Sequence, residues 1–128
     1  MSRTAKVELS WADGSYTFRL AIGQLVELQE KCDAGPPTIY NRLVGNAWYL
    51  NDIRETLRLG LIGGGMAPAK ALSLINRYVD DRPLAENARH AQAVLMALMI
   101  GVEDETPGKA EAARDQAMGA SPSPPSMA

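Results

Sequence analysis

Apolar and polar positions alternate along KVELSWADGSYTFRL, residues 6–20, with Val7, Leu9 and Trp11 before a gap and Tyr16, Phe18 and Leu20 after it. A period of two puts successive side chains on opposite faces, so this stretch predicts a β-hairpin. Asp13 and Gly14 are expected to supply the turn, because Asp-Gly favours the tight turns that match strand twist. Two strands alone are marginal, so the hairpin must lay its apolar face on helices.

The period then lengthens to that of a helix. Ile22, Leu25, Val26 and Gln29 recur at helical spacing with Glu27, Glu30 and Lys31 on the other side, which predicts an amphipathic helix with Ile22 and Val26 facing inward. Gly35, Pro36 and Pro37 end it, and a short helix over 38–44 carries Ile39 and Leu43 to the core before Gly45 and Asn46. From Asp52 a third helix aligns Ile53, Leu57, Gly60 and Leu61, with Asp52 and Glu55 resembling a capping box, and Gly63, Gly64 and Gly65 stop it. Pro68 opens a fourth, striped by Ala71, Leu72, Ile75, Tyr78 and Val79 and broken by Asp80, Asp81 and Pro83. A last helix over 84–100 turns Leu84, Ala88, Ala91, Leu95 and Leu98 to the core.

These elements predict a mainly α fold of the α+β kind: an N-terminal hairpin on a bundle of about five helices, forming one domain over residues 1–102. Beyond it the acidic, Pro-, Ser- and Ala-rich stretch 103–128 has too little apolar surface to offset its ordering entropy and is expected to be a flexible tail, with a transient helical turn at 110–118.

Composition narrows the function classes. The single cysteine, Cys32, cannot form an internal disulfide, and no window reaches the roughly 18 apolar residues of a membrane span, so a cytoplasmic protein without membrane contact is expected. Residues 1–102 carry 11 basic and 10 acidic groups, which gives no footprint for nucleic acid. His90, the lone histidine, has no Cys or carboxylate cluster at ligand spacing, and Cys32 has no base beside it, so neither metal, cofactor nor catalytic chemistry is legible and the chain is read as a non-enzyme. LIGGGMAPAK lacks the glycine spacing of phosphate loops and follows a helix, which makes it a cap and turn. A helix-turn-helix reading, with Arg54, Arg58, Lys70 and Arg77 on phosphates, is weakened by Ala67, Ala69 and Ala71 at the reading end.

AVLMALMIGV, residues 93–102, is apolar on nearly every side, and Val94, Met96 and Ile100 fall off the core stripe. Such a helix is either central and covered all round or exposes an apolar patch; Met96 and Met99 favour a binding surface, since flexible thioethers suit adaptable recognition. The candidate partner contacts are Leu95, Met96, Met99 and Ile100, together with the turn Gly64, Gly65 and Met66 and the charged pair Arg54 and Arg58.

The strings DGSYTFRLAIGQLVELQEKCDAGPPTIYNRL and NDIRETLRLGLIGGG, followed by ALSLINRYVDDRPL, resemble a family of gene transfer agents and related tailed phages of alphaproteobacteria. The resemblance spans roughly residues 7–101 and rests on Asp13-Gly14, Phe18-Arg19-Leu20, Gly23, Leu25, Leu28, Gly35-Pro36, Arg42 and the Ile53-Arg54-Glu55 to Gly65 segment. It implies a tail assembly chaperone that binds the tape-measure protein and keeps it soluble, acting in the bacterial cytoplasm during particle assembly. The family is also described as a tail tube component, which implies a subunit in the particle's tail. The sequence modestly favours the chaperone, because tube rings are built from sizeable β-sandwiches and only two strands are visible. The tail tube protein as a second partner and homo-oligomer formation complete the expectations.

Overall fold

The structure is a computed structural model and describes residues 2–103. The expected tail and its helical turn at 110–118 lie outside the described residues. Strands β2 (Lys6–Trp11) and β3 (Gly14–Arg19) form the hairpin, followed by helices α1 (Ile22–Cys32), α2 (Pro36–Val44), α3 (Leu50–Gly63), α4 (Pro68–Ile75) and α5 (Ala88–Met99). Short strands β1 (Arg3–Thr4) and β4 (Val102–Glu103) pair antiparallel, a closure of the two ends that the sequence pattern does not show. Pairing thus continues one residue past the expected domain boundary. A π-helical turn, Asn76–Asp80, prolongs α4, and a 3-10 turn, Leu84–Asn87, leads into α5.

Hairpin register places Trp11 opposite Gly14, so Ala12 and Asp13 are the central turn residues, one position earlier than expected. Ala12 has φ 56°, a conformation in which a Cβ crowds the following carbonyl. Trp11 Nε1 donates to Asn87 Oδ1 at 2.7 Å, and Asn87 Nδ2 donates to the Tyr78 carbonyl at 2.9 Å, which satisfies both buried polar groups and pins the hairpin to the approach to α5.

Helix α3 is the pillar: it packs against α1, α4, α5 and β3. Its Ile53, Leu57, Leu59 and Leu61 are buried together with Phe18, Leu28, Ile39, Ile75 and Leu95. Gly60, Gly63 and Gly64 set how close α3 comes to β3. A Cβ at Gly63 or Gly64 would lie 1.9 Å from the Arg19 carbonyl oxygen or 2.1 Å from that of Thr17, far inside contact distance. The glycine run therefore seats a helix end on a strand, in addition to stopping the helix.

Helix α5 lies between α2, α3 and the hairpin. Ala88, Ala91, Val94, Leu95 and Ala97 are buried, Met96 and Leu98 half-buried, and apart from Arg89 in the first turn only the end of the helix at Met99 opens to solvent. Arg3 closes that end, donating from Nε to the Ile100 carbonyl at 3.1 Å and from Nη2 to the Gly101 carbonyl at 2.7 Å, a cation at the negative pole of the helix. All-round apolarity here marks a central helix covered on both sides.

Candidate protein-binding surface

Two charged joints decide which polar residues are free. At the first, Asp52, wholly buried, accepts from Arg42 Nε at 2.9 Å and Nη2 at 2.7 Å, and from the Tyr49 backbone N–H at 2.8 Å. Asp52 thus stands at the third residue of α3 as the carboxylate of a capping box with the N-cap Tyr49; Glu55, the expected partner, is engaged elsewhere. Arg42 also donates to the Cys32 carbonyl at 3.1 Å and lies 4.5 Å from the Tyr49 ring centroid, so one guanidinium ties α1, α2 and α3 together. Burial, and after it the neighbouring Asp52, pushes the Cys32 thiol up to about 12, which leaves it protonated and unreactive at neutral pH.

At the second joint, the buried Glu55 receives Arg54 Nη1 at 2.9 Å and Arg58 Nη2 at 2.7 Å. Arg58 reaches on to Glu27 at 3.0 Å, and Arg54 Nε to Asp80 at 3.0 Å. Burial raises the Glu55 carboxyl, but hydrogen bonds and charge from Arg58 and then Arg54 outweigh it and hold the group below its ordinary value. Arg54 and Arg58, expected as partner or phosphate contacts, are therefore internal struts joining α1, α3 and the π turn. Lys70 and Arg77 are exposed.

The remaining expected contacts separate by burial. Leu95 is 0% exposed, so a contact through it would require α5 to leave the core. Met96 is half-buried against Tyr40, Arg89, Gln92 and Ala93 at a shallow groove. Gly64 is held against β3, Gly65 is exposed with φ 115°, and Met66 packs on the core. Met99 and Ile100 are open, at 36% and 62% exposure.

Helix α1 buries a different stripe from the one that the spacing of Ile22 and Val26 predicts. Leu28 and Cys32 are the residues α1 buries, while Ile22 is 75% and Val26 50% exposed. Two apolar stripes overlap on this helix, one through Ile22 and Val26 and one through Leu25, Leu28 and Cys32; the second faces α3. An excess of apolar positions over what one face can bury was the available signal. Val44, Tyr49 and Leu50 around the α2–α3 connection, and Leu72 on α4, are further exposed apolar side chains.

The fold and this surface define a small helical domain with a β-hairpin, the charged groups of α3 spent on internal joints and several large apolar side chains facing outward. Among the described residues no group of three His, Cys, Asp or Glu side chains is placed to share a metal ion, and no helix is long and apolar enough to cross a membrane. A sequence profile described as "Phage tail tube protein, GTA-gp10" matches residues 4–101. The chain belongs to that family, a phage-like tail family of gene transfer agents. No curated protein and no solved structure matches it. The family description supports the structural tail reading better than the chaperone reading.

Proposed function

We propose that the chain serves phage-like tail assembly by binding another tail protein through apolar side chains, as a chaperone of the tape-measure protein. The observation that carries this reading is the fold: helices around a single hairpin, with Met99, Ile100, Tyr49 and Leu50 open on helix ends while the charged groups of α3 are committed to internal joints. A chaperone for a long apolar helical partner needs such surfaces and no reactive group. Co-expression with the neighbouring tape-measure protein tests it. The expected result is co-purification and a larger soluble fraction of the tape measure; unchanged solubility with no co-purification refutes the chaperone role.

A second reading, a subunit retained in the tail, is favoured by the family's description as a tail tube protein. It predicts this polypeptide in purified particles at ring stoichiometry. Protein quantification of those particles decides it, and absence there removes it.

A further inference from the structure

Helix α1 turns its own apolar and charged side chains outward in an order that its own fold leaves uncompensated. Its solvent face begins with Ile22 and Val26, one turn or about 6 Å apart along the axis. It ends with Glu30 and Asp33, both exposed, at the negative pole of the helix dipole. Before its positive pole stands Arg19, exposed and directly opposite Lys6 in the hairpin register, a cross-strand pair of like charges. None of Lys6, Arg19, Glu30 and Asp33 forms an ion pair among the described residues. Arg19, Glu30 and Asp33 thus carry the signs that the helix dipole disfavours at their ends, with Lys31 the one basic residue of the last turn.

We infer that the α1 face is a self-association surface on which a second copy of this chain packs antiparallel. A two-fold axis between Ile22 and Val26 sets each against the other's counterpart. The same axis brings the partner's C-terminal end of α1, with Glu30 and Asp33, toward the N-terminal end of α1, before which Arg19 closes β3. One register therefore covers the apolar pair, gives both cation and carboxylate a partner, and opposes the two helix dipoles. Gly23 lies on this face with nothing within 4 Å of where its Cβ would stand, which lets the helix backbones approach. The patch is short for a permanent interface, so the expected dissociation constant is about 10–100 μM, a reversible dimer.

Sedimentation of the full chain over a concentration series reads the equilibrium. Val26→Asp should weaken association by at least about thirtyfold with no change in the melting temperature, since the side chain is on the surface. Arg19→Glu and Glu30→Arg each place like charges across the axis and should each weaken it about tenfold. Mixing those two variants restores both opposite-charge pairs in the heterodimer, so the mixture should associate about as tightly as the unmodified chain. A chain that stays monomeric to millimolar concentration, single variants that associate normally, or a mixture no tighter than its components would each overturn the proposal. A chain ending at Glu103 should dimerise as the full chain does, and loss of its dimer would contradict α1 pairing. Capture of the tape-measure protein is a separate readout, so failure of the dimer leaves the chaperone reading standing.

Discussion

Helices α1 and α5 are nearly the same length and both rich in apolar residues, yet the fold uses them in opposite ways. Helix α5 has other elements on both sides, and its small residues Ala88, Ala91 and Ala97 let neighbours come close enough to cover Val94 and Leu95. Helix α1 lies at the edge, packed mainly on α3, and has more apolar positions than that single contact can cover. An all-round apolar helix is a pillar because burying it stabilises the domain by about 1.5–3 kcal/mol per large side chain. An amphipathic helix with a surplus stripe is where the accessible apolar surface is found.

The contrast can be broken most forcefully in the core. Leu95→Ala should cost about 3 kcal/mol of unfolding free energy in a denaturant titration, because the site is closed on all sides and leaves a cavity; a cost of a few tenths would return α5 to the surface. Gly64→Ala should cost a similar amount, about 3 kcal/mol, since its Cβ meets the Thr17 carbonyl rather than a movable side chain, whereas Gly65→Ala tests only the positive φ and should cost about 1 kcal/mol. Thermal melts of the two variants side by side separate packing from conformation.

Acid should weaken the Glu55 joint of α3. The Glu55 carboxyl is held below its ordinary value, so the stability it contributes is present above about pH 4.5 and is lost as pH falls through the lower folded-state value. A Glu55→Gln chain, measured by chemical denaturation between about pH 6 and 3, should be less stable at neutral pH and lose less on acidification. An identical pH slope in the two chains would place Glu55 outside the joint. Smaller still, Ala12→Gly should raise stability by about 1 kcal/mol by relieving the positive φ of the hairpin turn. Ile22→Ser should leave unfolding within about 0.5 kcal/mol of the unmodified chain, as expected of an exposed side chain.

How far the sequence foretold this arrangement depends on the kind of signal. The hairpin, the five helices and the stop of α2 at Gly45 follow from local chemistry, which period and turn residues report well, whereas α1 ends earlier than Gly35, at a left-handed Asp33 with φ 52°, and Gly35 instead opens α2 as its N-cap. Which face of α1 turns inward does not, because Ile22, Leu25, Val26, Leu28 and Cys32 fill two stripes and only the position of α3 chooses between them. The hairpin turn shifts by one residue because packing of Trp11 across the strands on Tyr16 and Phe18, and on Tyr78 of the π turn, sets the register more strongly than Asp-Gly does. Burial of Asp52 and Glu55 is invisible to local pattern: an acid flanked by arginines reads as a solvated face until Arg42 and Glu27 arrive from other helices. Of the expected partner contacts, only Met99, Ile100 and Gly65 are openly accessible, since accessibility is decided by packing at a distance in sequence.

The residues that carry the family resemblance have the same character. Arg42, Glu55, Phe18, Gly60, Gly63 and Gly64 hold elements together, so this part of the family motif is a signature of the fold. The exposed stripe on α1 lies between those joints.

Hydroxyl-radical footprinting of the native chain at low micromolar concentration, read residue by residue by mass spectrometry, tests the division between the two helices most directly. Ile22, Val26, Met99 and Ile100 should be modified readily, and Val94 and Leu95 should stay unmodified until the chain unfolds. Modification of Val94 and Leu95 at rates like those of Ile22 and Val26 would contradict a central α5 and an outward-facing α1.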